Sequence, residues 1–343
     1  MFRSLCAVGL LAFSGLAWAA CLPGEVKGDD WLRLATWNAD LSRKGPGMLL
    51  RDIMRGDDPD LRQLLEGVAA VDPDVLLLTR VDVDPQGAAV RGLQDLLGPG
   101  WDHALAPVQN RGLPSGADLD GDGLVGGADD AQGHGFFRGD GVMVLLSRIP
   151  LGGLVDHGDL LWRDLPGARL ESVPQQVRDV QRLASSSWWQ VQAGPVTLLA
   201  WAAGPPIFGK GRRNLDRNHD EAAFWLHLLD GPDAPKGPLV LTGLANADAG
   251  QGDMAALQAL SAHPRLHPPL ARPSADMPGG PARLSWMQAS RDLCEGASGV
   301  WPQRRPDGTG DLVGRHRMLW LDVSVETNFR ENDEIIPIVS NLP

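Results

Sequence analysis

Apolar residues follow two different spacings in the first quarter of the chain. Residues 31–40 and 75–82 contain short apolar runs rich in β-forming residues, which predict buried strands. Between them, apolar side chains recur at helical spacing and form one face: Leu61, Leu64, Leu65 and Val68. This strand–helix–strand order predicts an α/β arrangement.

The rest of the chain continues the alternation and adds hairpins. Strands are predicted within residues 141–150, 186–204, 239–248, 282–290 and 317–325, and a turn at Gly194 divides 186–204 into two strands. A helix is predicted to end at Gly231, and the aperiodic residues 110–140 predict a long loop. We therefore predict one mixed α/β domain over residues 31–325 and a tail over 326–343.

Charge and composition narrow the possible functions. The formal net charge of −12 argues against a broad basic surface for nucleic acid, although a local basic pocket stays open. The chain has no tyrosine, which excludes a tyrosyl nucleophile or a phenolic acid.

The first twenty residues predict a cleaved secretory signal. Arg3 precedes an apolar run of signal length, and residues 17–19 have the small-residue pattern of a cleavage site. This run is too short for a membrane span, and no later run is long enough. We predict a secreted or periplasmic protein, with a lipid anchor at Cys21 disfavoured because Trp18 stands where lipoprotein signals usually have leucine.

Two cysteines, Cys21 and Cys294, remain once such a signal is removed. In an oxidising compartment they either form one disulfide or stay two separate thiols, and the sequence leaves both alternatives open.

The long loop contains a calcium-loop pattern. Acidic residues alternate around a turn glycine, Gly123, and the candidate ligands are Asp118, Asp120, Asp122 and Asp129. An aspartate in the twelfth position replaces the usual bidentate glutamate, so we predict weak binding with a structural role. The alternative is an acidic turn that binds no metal.

Six segments occur in a characteristic order. They are LRLATWNADL, DPDVLLLTRVD, the long loop with VMVLLSRIPL, RNHDEAAFW, LVLTGLANAD and GRHRMLWLDV. This order resembles the endonuclease/exonuclease/phosphatase superfamily, most closely its secreted bacterial branch. The resemblance implies a DNase I-like four-layer α/β sandwich with two packed mixed β-sheets flanked by helices. It also implies magnesium-dependent hydrolysis of phosphate esters.

The expected magnesium ligand is replaced by a cation. Asn38 is present where the resemblance places an asparagine, but the metal-holding glutamate falls on Arg80. A guanidinium about 4 Å from Mg²⁺ is repelled by roughly 8 kcal/mol at an effective dielectric near 20. Arginine cannot relieve this repulsion by losing its proton. We therefore predict that the magnesium site is lost.

Other positions implied by the resemblance have changed as well. The Asp-x-Asn pair reads Leu244 and Asn246, and the terminal Asp-His pair reads Arg315 and His316. Four more expected polar groups are replaced, by Trp188, Gln190, Ala202 and Ser285.

The polar groups that remain suit an anion better than a metal. They are Asn38, Arg80, Asn246, Arg315 and His316, all able to donate hydrogen bonds and none acidic. Our hypothesis is a pseudoenzyme that binds a phosphorylated or otherwise anionic ligand.

Two alternatives remain for this site. The arginines could pair with Asp40, Asp82 or Asp248 and bind no ligand. The same three aspartates could instead serve as relocated ligands of an active metal-dependent phosphodiesterase, phosphatase or nuclease.

The segment RNHDE has two interpretations. Asn218 or Asp220 could cap a helix, with the acidic pair complementing its dipole. Alternatively, Arg217 and His219 line the site.

Overall fold

The structure is a computed structural model, and it describes residues 31–209, 211–302 and 314–324. The predicted signal, Cys21 and the predicted tail lie outside the described residues. Cys294 is disulfide-bonded, so the alternative of a free thiol at this position is wrong. In the described part of the chain, no helix is both long and apolar enough to cross a bilayer.

Thirteen strands and five α-helices form within the described residues. The strands are β1 (Trp31–Leu41), β2 (Val75–Val81), β3 (His103–Leu105), β4 (Val142–Ser147), β5 (Leu151–Asp156), β6 (Trp188–Ala193), β7 (Val196–Ala202), β8 (Leu239–Leu244), β9 (Ala275–Met277), β10 (Gly280–Ala282), β11 (Ser285–Ala289), β12 (Cys294–Trp301) and β13 (Met318–Ser324). The helices are α1 (Met48–Arg55), α2 (Pro59–Val71), α3 (Ala88–Leu97), α4 (Arg213–Asp230) and α5 (Ala255–Ser261).

Most strands belong to two mixed sheets, as the sequence predicts. The first sheet has the order β12-β13-β1-β2-β4-β3, and the second has the order β11-β8-β7-β6-β5. Each sheet contains one parallel pair, β1 with β2 and β7 with β8, among otherwise antiparallel neighbours. Strands β9 and β10 form a separate antiparallel pair.

Three apolar layers hold the elements together. The middle layer lies between the sheets and contains Leu77 from the first and Val240 from the second. An outer layer packs α1, α2 and α3 on the first sheet, with Leu64 at its centre. The other outer layer includes Trp201 and Trp225 and packs α4 and α5 on the second sheet. This confirms the predicted four-layer sandwich.

Helix α2 shows why its sequence folds as predicted. The Asp58 carboxylate accepts hydrogen bonds from the backbone N–H groups of Asp60 and Leu61, and Pro59 occupies the first helical turn. Leu61, like Leu64 and Val68, is buried against the first sheet, while Leu65 lies at the edge of this face.

The predicted hairpin at Gly194 and the helix end at Gly231 are confirmed. The interpretation of 282–290 and 317–325 as the last two strands is wrong, because β12 lies between them. Small residues such as Gly296 and Gly299 leave this edge strand without a regular apolar pattern, and both pack against tryptophan rings.

Gly243 allows β8 to lie close to β7. Its φ is 145°, and a Cβ atom at this position would lie 1.9 Å from the carbonyl oxygen of Trp201. The obstacle is backbone, so no side-chain rotation relieves it.

We predict that Gly243→Ala lowers the free energy of unfolding by about 3 kcal/mol, through backbone strain and separation of the two strands. Thermal and urea unfolding provide the measurement. Gly250→Ala is the matched control, because a Cβ at Gly250 meets no atom within 4 Å. Equal stability of the two variants would contradict the prediction.

Candidate functional site

Polar side chains gather where the strands of the two parallel pairs end. Strand β8 packs against β1 and β2 across the middle layer, so the two pairs face each other. We call the polar residues at or near these strand ends the strand-end cluster: Asn38, Arg80, Arg111, Asn246, Arg315 and His316. The sequence predicts five of them, and the structure adds Arg111.

Asn38 and His316 contact each other directly. The Asn38 Nδ2 and His316 Nε2 atoms lie 3.1 Å apart, while the Asn38 Oδ1 and His316 Nδ1 atoms are buried without a partner. Burial lowers the pKa of His316 to about 4, with Asp40 opposing this shift and Arg80 and Arg315 adding to it. His316 is therefore neutral at physiological pH.

Three residues at these strand ends have a left-handed backbone. The φ angles are 51° at Asp40, 63° at Arg80 and 57° at Asn246. Arginine rarely adopts this conformation, and backbone strain of about 1–3 kcal/mol per residue tends to occur at functional sites. Of these three residues only Arg80 is unusual, because Asp and Asn adopt this conformation more readily, as Asp72 does at the end of α2.

The arginines of the cluster differ in their pairing. Arg80 Nη2 lies 3.5 Å from Asp40 Oδ1, and both side chains are substantially exposed. Exposed pairs of this kind are worth only about 0–1 kcal/mol, so an incoming anion can compete for Arg80. Arg315 is exposed and makes no ion pair with a described residue.

Arg111 extends from the long loop into the same edge. Its Nε donates to the backbone oxygen of Asp140 at 2.9 Å, and its guanidinium lies against Gly141 at the start of β4. Burial, with a contribution from the Arg80 charge, lowers the pKa of Arg111 to about 10, and the carboxylates of Asp140, Asp82 and Glu221 oppose this shift. It remains protonated at neutral pH, and no described carboxylate pairs with it.

Hydrogen bonds to backbone oxygens connect Asn246 to the other segments at these strand ends. Its Nδ2 donates to Ala203 O at 2.8 Å, and its backbone N–H donates to Leu284 O at 3.1 Å. Leu284 N donates in turn to Ser274 Oγ, and the segment beginning at Ser274 pairs with His316.

The aspartates proposed as relocated ligands have other contacts. Asp82 accepts the backbone N–H groups of Arg43 and Gly141 at 2.7 and 2.9 Å, and burial raises its pKa. Asp248 accepts from Arg283 N at 2.6 Å, and Asp40 pairs with Arg80. Among the described residues, these three aspartates do not form a ligand cluster.

Several positions at which the resemblance implies polar groups belong to the core. Leu244 and Ala202 lie in the middle layer, and Trp188 stacks on Phe224 with ring centroids 4.0 Å apart. Ser285 is buried, with 1% of its surface exposed, whereas Gln190 is half-buried on β6.

The RNHDE segment lies inside α4, so the capping interpretation is wrong. The helix begins at Arg213 and is preceded by Arg212. Arg217 donates to the backbone oxygens of Leu183 and Gln132 at 2.8 and 2.5 Å, and burial lowers its pKa to about 10. His219 Nδ1 lies 2.9 Å from Asp220 Oδ1.

Comparison with known proteins identifies the architecture. No protein-family model and no curated protein matches the sequence. An endonuclease/exonuclease/phosphatase from Beutenbergia cavernae is 20% identical, with a TM-score of 0.54 over 86% of this chain and 72% of that chain. Another from Bacteroides vulgatus is 11% identical, with a TM-score of 0.50 over 86% and 99%. The chain has the endonuclease/exonuclease/phosphatase fold.

The strand-end cluster does not fit the magnesium ion expected from resemblance to this superfamily. Mg²⁺ requires hard oxygen ligands, usually including carboxylates. In this endonuclease/exonuclease/phosphatase fold the cluster instead contains three guanidinium groups, and its nearest exposed carboxylate, Asp40, is paired with Arg80. The donor set is therefore suited to oxygen atoms that carry negative charge.

A groove of about 610 Å³ lies elsewhere, near the start of α4. It is lined by Arg169, Glu171, Ser172, Arg212 and Asp216. Both arginines are ion-paired, Arg169 with Asp253 at 2.5 Å and Arg212 with Asp216 at 3.1 Å. Both cations among its described lining residues are therefore already neutralised by a neighbouring carboxylate.

Three acidic side chains of the predicted calcium loop lie close together. Asp118, Asp120 and Asp130 bring ligand atoms within 4.8 Å of one another. Asp130 is turned inward because it accepts from Leu119 N and Gly126 N, whereas Asp129 pairs with His134 at 3.5 Å. Asp122 and Asp129 lie outside this group, so Asp118, Asp120 and Asp130 are the described carboxylates that could share a metal ion.

We predict that Asp130→Asn weakens Ca²⁺ binding to this loop by at least about tenfold, since it removes a charged oxygen ligand. Asp129→Asn is the matched control and leaves affinity nearly unchanged. Calorimetric titration with CaCl₂ measures both. A larger loss in Asp129→Asn would favour the ligand set predicted from sequence.

Proposed function

We propose that this protein binds a phosphorylated or otherwise anionic ligand at the strand-end cluster and has little or no metal-dependent phosphoester hydrolase activity. The observation that supports this proposal most directly is Arg111, a cation without an ion-pair partner among the described residues. Arg80 and Arg315 are near enough to act electrostatically on the same imidazole.

The chemistry of such a site is recognition without a metal. Guanidinium groups donate paired N–H bonds to phosphate or carboxylate oxygens and keep their charge at all physiological pH values. Asn38 and Asn246 add amide groups at the same edge, and neutral His316 avoids adding further repulsion between cations.

The proposal includes a secreted or periplasmic location. The disulfide at Cys294 supports it, because structural disulfides persist mainly in oxidising compartments. The signal predicted over residues 1–20 agrees with this location.

We expect Arg111→Ala to weaken binding of inorganic phosphate by at least about tenfold, because the variant loses charge-assisted hydrogen bonds to the phosphate oxygens. Isothermal titration and phosphate-induced thermal stabilisation provide the measurements. Arg291→Ala is the matched control. Arg291 is exposed and follows the end of β11, which lies beside the start of β8 at the opposite edge.

Hydrolysis of a generic phosphodiester with Mg²⁺ or Mn²⁺ tests the second part of the proposal. Turnover that is abolished by a chelator and by Asn246→Ala would establish a metal-dependent hydrolase instead. Equal phosphate affinity in wild type and Arg111→Ala would refute the anion site as described.

The His316 imidazole gives a pH-dependent test. We expect its pKa to be about 4 in the free protein and to rise when phosphate binds, because a nearby anion favours the protonated form. Folding lowers this pKa, so the unfolded chain binds a proton more readily than the folded protein. The free energy of unfolding therefore decreases as the pH falls from the pKa of unfolded histidine through about 4. NMR titration of the imidazole signals, assigned with His316→Gln, measures the pKa. An unchanged pKa in saturating phosphate would contradict contact with the ligand.

A further inference from the structure

Glu221 is a buried carboxylate that joins two segments of backbone. Its Oε1 accepts the N–H of Ser185 at 2.5 Å, and its Oε2 accepts the N–H of Gly204 at 2.7 Å. Ser185 precedes β6 and Gly204 follows β7, so Glu221 holds together the two chain segments at the open end of the β6–β7 hairpin. The side chain itself is fully buried at the middle of α4.

The Gly204 contact leads to Asn246. Ala203, which precedes Gly204, accepts the Asn246 side-chain amide at 2.8 Å. Asn218, one turn before Glu221 on α4, donates to Gly204 O at 2.8 Å and to Ala245 O at 2.9 Å. Helix α4 therefore fixes the end of β8 relative to the segment after β7.

The Ser185 contact leads to Arg111. Ser186 O accepts the backbone N–H of Asn110 at 2.9 Å, and Asn110 Nδ2 donates to Ala184 O, also at 2.9 Å. Asn110 directly precedes Arg111, so the position of the arginine depends on the Ser185 segment.

Two glycines allow this close packing. A Cβ at Gly204 would lie 2.5 Å from Ser185 Oγ. A Cβ at Gly133 would lie 1.8 Å from Ser185 O, where the long loop crosses the same segment. Gly204 and Gly133 thus both lie close to Ser185, beside the Glu221 carboxylate.

We propose that Glu221 is a positioning residue that sets the separation between Asn246 and Arg111 and thereby the anion affinity of the strand-end cluster. This inference rests on the proposed function, since it concerns the same site. Glu221 acts through the two backbone segments and does not touch the ligand.

The charges around Glu221 suit this role. Two arginines interact electrostatically with Glu221. Arg217, on the same helix, lowers the pKa of Glu221, and Glu221 in turn raises the pKa of Arg111 in the long loop. Burial raises the pKa of Glu221 to about 7, and Arg217 and the two backbone N–H groups oppose the shift. The N–H groups of Ser185 and Gly204 each need an acceptor, and a glutamine side chain offers only one oxygen for these two donors.

The experiment compares phosphate affinity with stability in matched variants. Glu221→Ala is expected to weaken phosphate binding about tenfold, with a smaller loss in Glu221→Gln. Without the Glu221 carboxylate the two backbone segments shift, and Asn246 and Arg111 shift with them. Leu228→Ala is the control, since it removes a buried side chain from the same helix without touching either segment. Titrations are made well below the Tm of every variant.

The outcomes separate this inference from the proposed function. Weaker binding in Glu221→Ala with unchanged affinity in Leu228→Ala supports the positioning role. Unchanged affinity in Glu221→Ala, or an equal loss in Leu228→Ala, overturns it while Arg111→Ala still tests the site. Where Glu221→Ala does not fold, Glu221→Gln decides, and wild-type affinity in that variant overturns the inference. Absence of phosphate binding to the wild type refutes both proposals.

Discussion

The parallel pairing of β1 with β2 and of β7 with β8 is the constraint on which the site depends. A parallel pair places the ends of two strands side by side, so polar groups at or near these ends come together although they are distant in the sequence. Packing of the two sheets through the middle layer then brings both pairs together. The apolar core therefore determines where the site lies, and the residues beyond the strands determine what it can bind.

The distribution of charge sets the strand-end cluster apart from the rest of the protein. The protein is strongly acidic overall, yet Arg80, Arg111 and Arg315 come together at one edge. Cations concentrated against an acidic background make a local attraction for anions without a general affinity for polyanions. Burial of Arg111 strengthens this effect, because water screens a buried charge less.

The sequence predicts regular elements better than it predicts the site. Strong apolar runs specify β1, β2, β7 and β8, whereas β12 has small residues and no alternation. The ordered resemblance locates Asn38 and His316, which the structure places 3.1 Å apart. Arg111 was missed because it lies in an aperiodic loop whose position depends on contacts with residues 184–186. The inward position of Asp130 is not visible in the sequence for a similar reason: its contacts with Leu119 N and Gly126 N, rather than ligand spacing, decide which aspartate turns inward.

The left-handed backbone at Arg80 has a further consequence for recognition. A side chain on a flexible loop loses conformational freedom when it binds, and that loss reduces affinity. The Arg80 Cα–Cβ direction is already set by the backbone near the end of β2, where the register with β4 shifts between Leu78 and Val81. Part of the ordering has thus been completed during folding, so the direction in which the Arg80 side chain leaves the backbone is fixed before any contact forms.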